Sequence, residues 1–519
     1  MAFEYKDEIK NILLSMSLDE RLPAGAWVGY GFEMEYSDST TGSFEMEYSD
    51  STTGSVEGAV TMWDKNILST GIASLQIYIP SSSYLDSPSR TSGSLSSLVD
   101  EYTNYVWSGS DNLISTQIVL ATGEISPYVC SATCYQGETP WVFGVGPINP
   151  ATVQNPANRQ TTRAIKGGIS IASTSQTPPY GPGGKGTMGL VCQDSASGAL
   201  VGLTNNHVVV KDPFYTNQRN IAGVIQNEYD LVDSSNTVQG DFVYQTGESQ
   251  PVNPGGPLEI GRVLRYVPLY TSASTAANNA LVNNSDAAIF SLYCTASNGA
   301  TIIDFTSSFQ QVGLTYTSSM PFASTAEINN LFNTNPELYS SGRTTGAKGS
   351  PGTLCPLRIF SLGVNTNVEY NLQGTQTPAF MQDLIAFVKP FDSSSYSPPT
   401  AGASVQVCPY PGWPGDSGST LIANIGGVWK IVGLVFAGDG AKYNPFVGYE
   451  VASSIGLACR IDHVASQLGI KAWTGSAAPV VDPNSITYVT VSGSNDTKIL
   501  NCSGSDYWQV GLTEKHNFC

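Results

Sequence analysis

Gly415-Asp416-Ser417-Gly418-Ser419 is the stretch on which the reading of this chain turns. Glycines on both sides of a serine let the backbone make a tight turn, aiming the N–H groups of Gly415 and Ser417 at one point. Two such donors stabilise an oxyanion, and a hydroxyl beside them is a candidate nucleophile. That hydroxyl stays weak until a base takes its proton. The chain has only 3 histidines. His463 falls between Ile461, Val464 and Leu468, on a helical pattern that Gly469 stops, so it reads as a solvated residue. His516 lies in a polar tail. His207, in Leu203-Thr204-Asn205-Asn206-His207-Val208-Val209 at the end of an apolar strand, is left as the base.

The base in turn needs a carboxylate that fixes its tautomer and stabilises its cation. Asp286, in Asn284-Ser285-Asp286-Ala287-Ala288-Ile289, stands at the entry to an apolar strand and needs a hydrogen-bond partner there. Asp241, in Gly240-Asp241-Phe242-Val243, is its rival. Asp416 adjoins a serine that must face substrate, so its own carboxylate reads as an anchor of the turn.

Outward from these segments, short apolar runs alternate with turns from Thr187 onward: Met188–Cys192, Leu200–Leu203, Ile260–Val267, Ala287–Leu292, Ile359–Val364, Leu384–Val388, Ser419–Ile422 and Trp429–Phe436. That is the pattern of a β-barrel or sandwich. Residues 296–344 are polar and read as an insertion between two halves. Thr177–Gly186 is a Pro/Gly linker, and its Gly-Lys lacks the spacing of a phosphate loop. The expected organisation is an N-terminal α+β domain with linker over 1–180, a β domain over 181–472 and a polar tail over 473–519 with a strand near Ile486–Val491.

In the first of these, Ile9, Ile12, Leu13 and Met16 predict a helix, and Ala26 to Tyr36 alternates as a strand does. FEMEYSDSTTGS occurs twice in tandem, at Phe32–Ser43 and Phe44–Ser55. Two copies do not build a solenoid, so they read as a duplication that lengthens a hairpin pairing Val28–Tyr36 with Val56–Met62. A short helix is expected near Leu95–Tyr105.

Composition narrows the partners. A net charge of −19 argues against nucleic acid and against an anionic membrane surface, since both need a basic face. No apolar run is long enough to cross a membrane, and the charged start Met1-Ala2-Phe3-Glu4-Tyr5-Lys6-Asp7-Glu8 is unlike a secretory leader, so a cytoplasmic location is expected. The 9 cysteines are scattered, with no zinc spacing, and read as buried free thiols; neither metal nor cofactor is expected.

These segments together resemble the trypsin-like (chymotrypsin-fold) serine peptidases, in which the triad runs His…Asp…Ser along the chain. The resemblance is closest to the intracellular branch that includes the plant NARROW LEAF 1 protein and its bacterial relatives. Gly167–Ile171, Gly186–Gly189, Leu203–Val209, Gly261–Leu269, Ser285–Leu292, Ser341–Gly346, Gly415–Leu421 and Val432–Asp439 carry it, in family order over about residues 165 to 470. It implies two β-barrels, with His207 as general base, Asp286 rather than Asp241 as orienting acid, Ser417 as nucleophile, and Gly415 and Ser417 as the oxyanion hole. It also implies that Phe436, Ala437, Gly438 and Phe446 line the substrate pocket, with Pro411 near its floor and Asp439 nearby. The expected activity is hydrolysis of peptide bonds in a protein or peptide substrate. The competing expectation is a catalytically silent or self-processing trypsin-fold scaffold. Homo-oligomerisation is left open.

Overall fold

The computed structural model describes residues 4–38, 67–80, 93–103 and 113–121, most of 165–210, 258–292 and 320–388, residues 411–439 except 413, and 455–473, with shorter pieces elsewhere. The chain is mainly β, as its alternation of apolar runs and turns predicts. Two large sheets dominate.

The smaller has eight strands, in the order Lys185–Thr187, Ser170–Ser173, Phe242–Gln245, Leu258–Tyr266, Ala288–Ser291, Leu200–Thr204, Leu190–Asp194 and Ile470–Ala472. Its central strands are buried along their whole length, which is why they read as continuous apolar runs. The larger has thirteen strands and contains Leu338–Gly342, Thr420–Ile425, Val428–Asp439, Gly456–Arg460, Thr375–Val388 and Arg358–Leu372. Neither closes into the expected barrel among the described residues. The end strands Lys185–Thr187 and Ile470–Ala472 have three residues each and pair on one side only.

The larger sheet continues into the N-terminal region. Trp27–Asp38 pairs on one side with Arg358–Leu372, at Val28↔Asn365 and Tyr30↔Leu362. On its other side it pairs with Ile67–Pro80, at Val28↔Ile77 and Tyr30↔Leu75. This corrects the partner expected from the tandem repeat. Leu75, Ile77 and Ile79 are buried, and the Trp27 and Tyr78 rings stack with centroids 3.6 Å apart. Those contacts give Ile67–Pro80 a register that the repeat, with two identical copies, does not specify. Within the repeat, Tyr36 pairs with Phe44; residues 45–66, including the expected partner strand, lie outside the described residues. The polar stretch 296–344 ends in Leu338–Gly342, which pairs with Thr420–Ile425 and so belongs to the sheet itself.

The first helix spans Asp7–Ser17 and buries Ile9, Ile12, Leu13 and Met16, as predicted. It is tied down by one carboxylate. Asp383 accepts from the Tyr5 hydroxyl at 2.7 Å, and its oxygens lie 3.0 Å from Lys10 Nζ, 3.2 Å from Arg460 Nη1 and 2.8 Å from His463 Nε2. His463 is therefore not the solvated residue its place in the helical pattern suggests; it turns back onto Asp383. Burial alone would raise the Asp383 carboxyl, but the His463 bond, Arg460 and Lys10 outweigh it and hold the group well below the usual carboxylate range. Asp383 has φ 55, the sole positive φ of a non-glycine residue among those described. Later, Gly469 ends the helix Ile461–Leu468 in a left-handed conformation, as expected.

Candidate active site

His207 and Asp286 pair beside the smaller sheet, and Ser417 sits on a turn of the larger sheet that Thr187 joins to the smaller one. His207 lies on a single helical turn, Asn206–Val209, directly after Leu200–Thr204. Asp286 lies two residues before Ala288–Ser291, the strand paired with Leu200–Thr204. Ser417 lies just before Thr420–Ile425 of the larger sheet. Thr187 ties that turn to the smaller sheet: its N–H donates to the Ser417 carbonyl at 2.7 Å, and its hydroxyl donates to the Gly415 carbonyl at 2.8 Å.

Two asparagines fix the histidine turn. Asn206 Nδ2 donates to the carbonyls of Val267 at 2.7 Å and Pro213 at 3.1 Å. Asn205 Nδ2 donates to the Asp286 carbonyl at 2.5 Å. The turn and the acid-bearing loop are thereby stapled together through the backbone as well as through the His207 and Asp286 side chains.

The histidine and the acid then pair. His207 Nδ1 lies 2.5 Å from Asp286 Oδ2, and the His207 N–H donates to Oδ1 at 3.2 Å. A carboxylate on Nδ1 leaves Nε2 as the basic nitrogen. Tyr370 supplies a third donor, its hydroxyl reaching Oδ2 at 2.7 Å. Burial, and then the carboxylate, push the Tyr370 hydroxyl well above the ordinary tyrosine range, so it stays protonated and donating. The Asp286 N–H donates to Cys459 Sγ at 3.2 Å. Burial and the same carboxylate raise that thiol, which stays neutral.

Gly415 and Gly418 have φ 102 and φ 94, values that L side chains rarely adopt. At Gly418 a Cβ would also strike the Thr187 carbonyl and the Thr204 hydroxyl. The Gly418 N–H donates to Val435 O at 2.9 Å, and the Ser419 N–H to Asp416 O at 3.0 Å. The N–H groups of Gly415 and Ser417 donate to no acceptor among the described residues. The Ser417 hydroxyl donates to the Phe436 carbonyl at 2.9 Å. Asp416 anchors the turn as its place beside the serine suggests, accepting the Thr344 N–H at 2.9 Å.

Phe436 and Ala437 are buried beside Ser417, on the strand Val428–Asp439 that continues through Gly438. Phe446 and Asp241 lie outside the described residues. Among the described residues no group of three or more His, Cys, Asp or Glu could hold a metal, and no helix is long and apolar enough to cross a membrane. Tyr370 and Cys459 carry no local signal, sitting in ordinary strand patterns 84 and 173 residues from Asp286. Thr187 carries a signal only through the Gly186–Gly189 resemblance.

No family model matches the chain, and no curated protein does. Among solved structures it is similar to protease A of Thermobifida fusca at 13% identity, with 60% of this chain and 100% of that chain covered and a TM-score of 0.27. A Nocardiopsis protease aligns at 15% identity over the same shares, with a TM-score of 0.26. So does a serine protease described as specific for glutamic acid and as using a histidine triad in substrate binding, at 14% identity and a TM-score of 0.26. Likeness at that level says nothing about chemistry, which has to be argued from the side chains.

Proposed function

We propose that this chain is a serine endopeptidase of the trypsin-like type, hydrolysing peptide bonds through an acyl-enzyme. The kinship with the NARROW LEAF 1-like branch rests on the sequence stretches alone. The observation that carries the proposal is the buried His207–Asp286 pair, 2.5 Å apart, together with a serine turn, tied to the smaller sheet by Thr187, whose Gly415 and Ser417 amides donate to no acceptor among the described residues.

In this reading the Ser417 hydroxyl turns from the Phe436 carbonyl to His207 Nε2, which takes its proton as Oγ bonds to the substrate's carbonyl carbon. The oxyanion accepts from the amides of Gly415 and Ser417. Asp286 stabilises the imidazolium, and Tyr370 and the His207 N–H hold that carboxylate in place. Collapse breaks the C–N bond, and the imidazolium gives its proton to the leaving amine. Water then frees the acid by the same steps. Phe436, Ala437 and Gly438 run alongside the serine and would bound the pocket. The larger organisation, a peptidase region over 181–472 between an N-terminal region and a tail, remains part of the same proposal.

A second reading is a silent trypsin-fold scaffold. It is favoured by the burial of Ser417 and by its hydroxyl resting on a carbonyl rather than on the base. One experiment separates the two. A fluorophosphonate probe should label the wild type at Ser417, and Ser417→Ala should lose both the label and all turnover of a casein-like substrate. Labelling or turnover that survives in Ser417→Ala refutes the peptidase reading, and so does an unlabelled Ser417 both in the wild type and in the Ile125 variants described below.

A further inference from the structure

The strand Val428–Asp439 has two edges, and their occupants can be assigned. Gly456–Arg460 pairs along residues 433–438. Thr420–Ile425 pairs along 428–434 and must lie on the opposite edge, because Gly433 pairs with both Arg460 and Leu421. Past residue 434 that second edge belongs to the serine turn. Val435 exchanges hydrogen bonds with Ser419 and Gly418, and the next carbonyl, Phe436 O, holds the Ser417 hydroxyl. Directly beyond it the edge is taken again, by Ile125–Pro127 from the N-terminal region, antiparallel, with Asp439↔Ile125, Gly438↔Ser126 and Ala437↔Pro127.

The direction of this short strand matters. It runs from residue 439 toward 437, so its carboxyl side advances on Ser417. An extended peptide laid on this edge in this direction brings the bond after its paired residues to the nucleophile. Antiparallel addition to an open sheet edge is also how a strand-like peptide gains affinity, through main-chain hydrogen bonds. Pro127, at the end nearest the serine, has no N–H to give and ends the ladder. Ile125 is 2% exposed, Pro127 is half-buried and Ser417 is 0% exposed, so the segment is anchored at its isoleucine and the serine is out of reach of solvent.

We infer that Ile125–Pro127 occupies the place of the substrate strand and holds this site closed in cis. The inference rests on the peptidase reading above. A substrate must displace this segment before its carbonyl reaches Ser417. A substrate that succeeds is an unfolded stretch able to pair as a strand on residues 437–439.

The test compares the full-length wild type with Ile125→Asp, which puts a charge where a buried isoleucine sits, and with the milder Ile125→Ala in case the first does not fold. Amide exchange over residues 437–439 reports whether the edge is covered, and the rate of fluorophosphonate labelling at Ser417 reports access. An open state of about 0.1–10% is ordinary for such an equilibrium, so freeing the edge should speed labelling by about tenfold or more. Faster exchange together with faster labelling supports the inference. Unchanged exchange in both variants overturns it, and so does faster exchange with labelling no faster than in the wild type. A complete absence of label at Ser417 in all three proteins fails differently: it removes the peptidase reading, and the inhibitory role with it.

Discussion

Tyr370→Phe removes one oxygen from the most buried part of the site. The hydroxyl donates to Asp286 Oδ2 at 2.7 Å, and the ring packs edge-on against Phe214 with centroids 5.4 Å apart. Phenylalanine keeps that packing, so the loss is confined to the hydrogen bond. A hydrogen bond to a buried charged group contributes about 1.5–3 kcal/mol. Asp286 retains two donors from His207, so the pair survives, with its carboxylate less well solvated. If the whole contribution is felt when the imidazolium forms, kcat falls by about 10- to 150-fold, at about 1.4 kcal/mol per tenfold. KM should change little, since Tyr370 acts through Asp286 and meets no substrate. There is also a signature that a purely structural role would not give. Labelling of Ser417 by the fluorophosphonate, which draws on the same base, should slow together with kcat while stability to urea stays near that of the wild type. The assay is steady-state hydrolysis of a peptide substrate, with fluorophosphonate labelling for its rate and to count active sites. A folded variant with unchanged kcat and an unchanged labelling rate would refute the reasoning.

Three further outcomes are expected. Gly418→Ala should destabilise the protein by at least about 1–2 kcal/mol from its left-handed backbone alone, with the collision at the Thr187 carbonyl adding to this; urea unfolding beside the wild type measures it. Asp383→Asn leaves Arg460, Lys10 and His463 around a neutral amide and should cost about 3–5 kcal/mol. Because the Asp383 carboxyl is held below its unfolded value of about 3.9, the unfolded chain protonates first as pH falls. Its contribution is thus complete above about pH 5 and declines below it, and the variant should show a shallower acid slope in thermal melts. Cys192 and Cys459 are buried with thiols raised by that burial, so a thiol reagent should leave both unmodified in the folded protein and take both after denaturation.

What the sequence disclosed follows from where each constraint resides. Gly415–Ser419 is legible because a left-handed backbone demands glycine on the spot. His207 is legible because so few histidines exist to choose from. Asp286 stands out because a charged residue beside an apolar strand needs a partner. The apolar runs disclose the strands themselves, but a pairing such as Val28↔Asn365 leaves no local mark, since its two halves are separated by most of the chain. Tyr370 is invisible for the same reason: a tyrosine in a strand is ordinary until the carboxylate it meets is known. His463 misleads because helical spacing reports the side of the helix and not Asp383, which comes from a distant strand. Ile125–Pro127 has no periodicity at all, and only its register opposite 437–439 gives it meaning.

The union of Trp27–Asp38 with Arg358–Leu372 sets a practical limit on dissecting this protein. A chain begun at residue 165 would keep His207, Asp286 and Ser417, yet it would lose the strand lying along one side of a 15-residue partner. That flank, lined by Leu362 and Val364, would be left with unmet amides and carbonyls, open to the same flank of another copy. Such a truncation should precipitate or associate strand to strand, and inactivity in it would reflect aggregation and not chemistry.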